Sequence, residues 1–309
     1  EKEKLNVDMY ALNDRVNDLY FGILLLDEQI KQNTLLQDEL ERNYRQITAY
    51  VENGIANQAD LDAVKVEQLN TKQKRIDLVS SRAAYLKMLS LLVGEALSPE
   101  TVLEKPVPQS TVSAVSEIRR PELALFDAQG AGLQVQEKAL NVRHLPQFGL
   151  FVQGAYGNPG LNMLKNEFSP YYMAGVRLSW NFGSLYTLKN DRRVIEKKRQ
   201  QLDNNRDVFL FNTRLEMTQQ DQAIHSLEKQ MRDDDEIIRL RTNIRKAAEA
   251  KVANGTLTVT EMLRELTNES LARQSKTMHE IQRLMGIYQL KYTINAVSYT
   301  HLRAHETGA

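Results

Sequence analysis

Ala49-Tyr50-Val51-Glu52-Asn53-Gly54 and Ala250-Lys251-Val252-Ala253-Asn254-Gly255 carry one phrase twice: A-x-V-x-N-G recurs at an offset of 201 residues. Similarity at a fixed offset marks a duplicated structural unit. The register holds on both sides. Upstream, Leu26 and Gln29 fall on Leu227 and Gln230, and Ile30 falls on Met231; downstream, Asp60 falls on Glu261, Leu61 on Met262 and Leu89 on Leu290. Asn-Gly at the end of an apolar-periodic run reads as a helix stop, because these two residues enter the left-handed conformation at low cost.

Working back from the first Asn-Gly, residues 10–52 contain no Pro and no Gly except Gly22, with Leu19, Ile23, Leu26, Ile30 and Ile47 at helix-compatible intervals. That spacing predicts a helix. Working forward, Leu61, Val64, Leu86, Leu89 and Leu92 predict a second helix over about residues 59–94. A short turn between long helices makes them antiparallel neighbours. The first-repeat helical hairpin is therefore assigned to residues 1–97. Pro99, Pro106, Pro108, Ser110 and Thr111 mark a linker, assigned to 98–119. Arg120-Pro121-Glu122-Leu123 then opens a helix that runs to about His144, with Pro where a missing N–H costs nothing and Glu near the positive end of the dipole. The second repeat is assigned to 120–297.

Residues 147–182 change period. Tyr172, Ala174, Val176, Leu178, Trp180 and Phe182 alternate with Met173, Gly175, Arg177, Ser179 and Asn181. Alternation predicts a strand with one apolar face. Phe148, Leu150, Val152 and Tyr156 predict its partner, with Phe151 out of phase, and Gly157-Asn158-Pro159-Gly160 lies in the connection. From Ser184 to Val252 there is neither Pro nor Gly. As one helix that segment is about 100 Å long at 1.5 Å per residue. After the second Asn-Gly a returning helix runs from about Val259 to Asn295, so the second long hairpin occupies 184–296.

Composition excludes several functions. The 309 residues hold only seven Pro and fourteen Gly, too few for a loop-rich domain, and 40 basic residues balance 40 acidic ones. No global field recruits nucleic acid. With zero Cys there is no disulfide, thiolate zinc site or Cys nucleophile. Glu1-Lys2-Glu3-Lys4 opens hydrophilic, and no run of about 20 apolar residues crosses a bilayer as a helix. That leaves a soluble protein or a barrel. No nucleophile stands beside a base in any known motif, so the chain is read as a non-enzyme without cofactors.

A two-stranded hairpin with an apolar face needs cover, either from helices of a soluble protein or from strands of other copies closing a lipid-facing barrel. Here the sequence resembles a known family. The order helix, β-hairpin, very long helix, Gly tip and long helix, with Arg120-Pro121-Glu122-Leu123 opening the second repeat, is similar to the TolC family of outer-membrane efflux proteins over about residues 5–297. The resemblance implies a mainly α chain with a small β part: long antiparallel coiled hairpins forming an α-barrel, and a β-hairpin contributing to a trimeric 12-stranded outer-membrane barrel. It implies a homotrimer with a periplasmic adaptor, an inner-membrane pump and outer-membrane lipid as partners. It also implies roughly 80 or more further residues upstream, since only one of two expected β-hairpins is present. The tail 298–309 breaks the pattern and resembles translated adapter sequence, so it is set aside as non-native.

The tips are the candidate site. Asp60 and Glu261 each stand six residues past a tip glycine, near the start of the returning helix. One reading is helix capping. The other is a gate, in which a trimer places six carboxylates around a periplasmic mouth. In the family's second tip a Tyr before the Gly, a basic residue after it and a second Asp deeper in the helix lock the closed state; Val252, Leu257 and Arg264 stand at those places here. Arg264 is then expected to pair with Asp60 or Glu261. Gly54, Ile55, Gly255 and Leu257 form the expected adaptor-docking set, and Tyr172, Val176, Leu178, Trp180 and Phe182 the membrane-facing one. Arg192-Arg193 with Lys197-Lys198-Arg199 reads as a solvated helix face, or else as a basic face near lipid headgroups or lining the duct, Asp233-Asp234-Asp235-Glu236 as an exposed charge run, and His144, His225 and His279 as isolated. The function expected is passive export through an outer-membrane duct of a tripartite efflux or type I secretion system. The rival is a soluble coiled-coil scaffold that binds partner helices.

Overall fold

Among the described residues, five helices and two strands follow in the order α1 (Lys2–Glu52), α2 (Gln58–Val93), α3 (Pro121–Arg143), β1 (Gln147–Gly157), β2 (Ser169–Ser179), α4 (Ser184–Ala253) and α5 (Val259–Ile294). The computed structural model describes residues 1–107, 117–143, 145–164, 166–180 and 183–295. The 298–309 tail, Phe182 and His144 lie outside them. By its contacts the chain divides into two units, Glu1–Pro121 with Leu210–Ala309, and Glu122–Phe209. The uninterrupted α4 supplies residues to both.

In the first unit α1 packs antiparallel on α2 and also against α5. Leu19 and Ile23 of α1 meet Leu86 and Leu89 of α2, whereas Phe21 and Leu24, on the adjoining face of α1, meet Ile281 and Leu284 of α5. A full burial of each such side chain contributes about 1.5–3 kcal/mol. Gly22 permits the first crossing: a Cβ there would stand 2.6 Å from the ring of Tyr85 on α2. The linker is tied down as it leaves the hairpin. Arg82 pairs with Asp27 and donates to the carbonyls of Pro99 at 2.6 Å and Thr101 at 2.8 Å. Lys105 reaches Glu280 of α5 at 2.9 Å. Arg120, ahead of α3, lies 5.1 Å and 5.0 Å from the ring centres of Tyr10 and Tyr292, which stack on each other.

In the second unit α3 runs against the first turns of α4 through a ladder of arginines. Arg192 donates to Asn141 at 2.8 Å, Arg199 pairs with Glu137 at 2.6 Å, and Arg206 pairs with Asp127 at 3.1 Å. The seven-residue spacing of those arginines keeps them on one stripe of the helix. Arg192 and Arg199 of the basic cluster therefore reach α3 while keeping much of their surface in solvent.

The strands pair antiparallel, with Phe148 opposite Leu178, Leu150 opposite Val176 and Val152 opposite Ala174. β2 starts at Ser169 and ends at Ser179. The strand expected to reach residue 182 thus sits earlier, and Trp180 follows it. Phe151, out of phase in the sequence, lies on the polar face. Its ring covers Gly175 across the strands, at 2.9 Å from where a Cβ would stand, and the Arg177 guanidinium is 5.5 Å from its centre. The aromatic fills the gap its glycine partner leaves.

Candidate functional site: the paired tips and the charged seam above them

The two tips share their turn-closing bonds. Asn53 and Asn254 fold their side-chain amides back onto the carbonyls of Ala49 and Ala250 at 2.7 and 2.8 Å. Gly54 and Gly255 take φ of 71° and 66°. Their N–H groups reach Val51 and Val252, while those of Ile55 and Thr256 reach back to Tyr50 and Lys251. This pair of bonds satisfies the last carbonyls of a helix and requires a left-handed residue, which is why glycine recurs. The duplication seen in the sequence is a duplicated turn.

Asp60 and Glu261 close capping boxes. Asp60 accepts from the N–H of Asn57 at 3.1 Å, and its own N–H reaches the Asn57 side chain at 3.0 Å. Glu261 accepts from the N–H and hydroxyl of Thr258 at 3.1 and 2.8 Å. The backbone N–H and then the hydroxyl of Thr258 hold the Glu261 carboxyl below its ordinary range, with a smaller contribution from Arg264. Both carboxylates stabilise helix starts within the chain. Arg264 pairs with its neighbour Glu265 at 3.7 Å. Its expected pairing with Asp60 or Glu261 is not formed in the single chain.

The tips also pack on each other. Leu40, Ile47 and Val64 of the first hairpin share one apolar cluster with Ala248, Val252, Val259, Met262, Leu263 and Leu266 of the second. Leu257 and Ala56, equivalent residues at the offset of the repeat, both lean on this cluster. Leu257 is thus half-buried, whereas Gly54, Ile55 and Gly255 are exposed. Only part of the expected docking set faces solvent fully.

On the hairpin, Tyr172 is 83% exposed, Val176 69%, Leu178 59% and Trp180 46%; Leu150 on the partner strand reaches 87%. An apolar face this open calls for a non-aqueous neighbour.

A further set was missed from sequence. Glu269 is 2% exposed and accepts from Thr242 at 2.7 Å, Arg245 at 2.5 Å and Arg273 at 2.6 Å. Burial alone would raise its pKa; the bonds from Arg273, Thr242 and Arg245 outweigh burial and hold it below 4.5. Arg245 also pairs with Glu249 and lies 4.0 Å from Glu39 of α1. Nearby, Asp234 is buried against His279 at 2.9 Å, and Asp235 holds Lys276 at 2.5 Å. Of the acidic run Asp234 alone is buried in this seam, while Asp233, Asp235 and Glu236 stay exposed as expected, and His279 is not isolated. A signal existed. Thr213, Met217, Gln220, Ile224, Leu227, Met231, Asp234, Ile238, Arg241, Arg245, Ala248 and Val252 recur at alternating four- and three-residue steps, and all are buried or half-buried. Charges at core positions of such a repeat specify register.

No protein-family model and no curated protein matches the chain in sequence. Solved structures match it in fold. The outer-membrane channel OprN aligns with a TM-score of 0.75 at 12% identity, over 96% of this chain and 68% of its own. The chain has the fold of the TolC-family outer-membrane channels. The TolC-like likeness extends to the Campylobacter jejuni outer-membrane channel CmeC, with a TM-score of 0.76 at 12% identity over 95% of this chain and 66% of that one. It also extends to the outer membrane protein VceC of Vibrio cholerae, with a TM-score of 0.74 at 11% identity over 93% and 69%. This TolC-like chain spans about two thirds of the length of each.

Proposed function

We propose that the chain is the protomer of an outer-membrane exit duct. Three copies form a homotrimer whose β-hairpins contribute to a closed 12-stranded barrel in the outer membrane, and whose helical hairpins build a tube in the periplasm. Export is passive, powered by the inner-membrane pump of a tripartite efflux or type I secretion system. A periplasmic adaptor docks where Gly54, Ile55 and Gly255 are exposed, with Leu257 shaping the tip from beneath.

One observation carries the reading. Every cross-strand pair on one face of the hairpin joins apolar residues or glycine, from Phe148–Leu178 to Tyr156–Pro170, and most of these side chains are largely exposed. A two-stranded sheet also leaves both edges unpaired. In hydrocarbon an open edge costs several kcal/mol per unsatisfied group, so such a hairpin is usable in a membrane only when strands from other copies close it. No described helix is long and apolar enough to cross a membrane.

The test is to express the protein in bacterial cells and fractionate them. Detergent-resistant trimers in the outer-membrane fraction support the duct; a monomer confined to the aqueous fraction refutes it and favours the scaffold. For the gate, Asp60→Asn with Glu261→Gln keeps an oxygen acceptor at each cap but removes six charges from the trimer. Single-channel conductance is expected to rise and cation selectivity to fall, and unchanged values remove both residues from the gate.

A further inference from the structure

Where the β-hairpin gives way to helices, α3 and α4 repeat one order of side chains. Strand pairing ends at Gln147 opposite Ser179. The residues next to that end are apolar or aromatic: Val142 and Leu145 on the α3 side, Trp180, Leu185 and Tyr186 on the α4 side, all exposed and Tyr186 90% so. Cations follow one or two turns farther along each helix. Lys138 lies four residues from Val142 on α3, and Tyr186, Lys189 and Arg193 follow at steps of three and four on α4, so each set shares one helix face. Arg192 and Arg199 belong to the other stripe and reach α3. Among the described residues no ion pair or side-chain hydrogen bond holds Lys138, Lys189 or Arg193. The neighbouring carboxylates are engaged elsewhere, Asp191 by Arg143 and Thr187, and Glu137 by Arg199. Residues 184–199 hold six basic residues against two acidic ones, Asp191 and Glu196, in a chain that is neutral overall, and Glu196 stands beyond Arg193 on the side away from the hairpin.

Apolar and aromatic residues, then cations on flexible stems, match the layers of a bilayer surface, hydrocarbon first and headgroups next. At 1.5 Å per residue Lys189 stands about 5 Å and Arg193 about 10 Å along α4 from Tyr186, and Lys138 about 6 Å along α3 from Val142. With their stems reaching back, all three charges come within a screening length of that surface, roughly 8 Å at physiological ionic strength. We propose that Lys138, Lys189 and Arg193 form a docking surface for the headgroups of anionic phospholipids in the leaflet nearest the helices. Trp180 and Tyr186 lie at the boundary between hydrocarbon and headgroups. This rests on the hairpin entering the outer membrane. The surface gives the protein a lipid preference and fixes its depth, because a cation drawn into hydrocarbon loses its hydration.

The chain holds one tryptophan, Trp180, beside this surface. Its fluorescence reports lipid contact when bromine-bearing phospholipids quench it. The full chain is reconstituted into bilayers of phosphatidylcholine with a rising share of phosphatidylglycerol, one or the other brominated, and quenching gives the relative binding constant of the anionic lipid. A preference of about fivefold for phosphatidylglycerol is expected at low salt. It should fall below about twofold when Lys138→Gln, Lys189→Gln and Arg193→Gln are combined, and also for the unaltered chain in ~0.5 M salt. The three side chains are exposed and unpaired, so their replacement leaves the packing intact. Lys229→Gln, Lys246→Gln and Lys251→Gln together remove as much charge from exposed positions more than about 50 Å farther along α4, and should keep the preference. No preference in the unaltered chain, or an equal one in the Lys138, Lys189 and Arg193 variant, overturns the docking surface. So does a conductance that turns cation-selective in that variant while the lipid preference stays, which places the face in the duct lumen. A Trp180 that neither brominated lipid quenches sinks the membrane reading itself, whereas equal quenching by both sinks the headgroup surface alone.

Discussion

Replacing Glu269 by alanine removes the anchor of the charged seam. The carboxylate is 2% exposed and takes bonds from Thr242, Arg245 and Arg273. Breaking a buried ion pair from one side typically costs about 3–5 kcal/mol, because a charge stays buried without its partner. Two features place Glu269→Ala near the lower end. Arg245 keeps Glu249 and Glu39, and the Arg273 side chain, 44% exposed, rehydrates. The expected loss is therefore about 3 kcal/mol, against about 1 kcal/mol for Arg273→Ala, whose partner keeps Arg245 and Thr242. Denaturant unfolding of the purified chain, followed by far-ultraviolet circular dichroism, measures both. The pH dependence gives an independent check. The folded carboxyl lies below its ordinary value of 4.5, so its contribution is complete above about pH 4.5 and fades as pH falls through the folded value. Glu269→Gln should flatten that part of the acid limb. Equal losses for Glu269→Ala and Arg273→Ala, or an unaltered acid limb in Glu269→Gln, would refute the reasoning.

Thr258→Ala, which removes the hydroxyl half of the second capping box, should cost about 1 kcal/mol in the same unfolding measurement, and Thr258→Asn should restore most of it. Gly22→Leu should destabilise the first hairpin by driving a side chain into Tyr85, and Tyr85→Ala in the same chain should recover part of the loss; absence of recovery would show that Tyr85 is not the obstacle. Leu150→Arg, on the face proposed to meet lipid, should lower the yield of membrane-inserted trimer at a cost of about 2–4 kcal/mol near mid-bilayer, whereas Gln153→Arg on the opposite face should be tolerated; equal effects would remove the inside–outside assignment of the hairpin.

Much of the architecture was legible along the chain because it is written in local rules. A helix without Pro or Gly needs no distant partner to be recognised, and the Asn-Gly stops demand a left-handed residue whatever surrounds them. Asp60 and Glu261 were legible as caps for the same reason: the box closes over three residues. Strand alternation was legible too, but its limits were not. The extent of β2 depends on where β1 stops pairing, so Trp180 fell beyond the strand, and Phe151 looked like an error until its cross-strand partner proved to be Gly175.

What only the tertiary structure decided lies between elements distant in sequence. Leu257 was expected at a docking surface and proved half-buried, because the two tips share one apolar cluster. Asp234 and Glu269 carry the residue types of a solvated face, yet their place on the stripe between helices buries them and gives them Arg, Thr and His partners. Sequence alone therefore determined the helices, the turns and the duplication, all set by interactions over a few residues. Which charges became buried was set by which helix faces meet, and that follows from packing the whole chain.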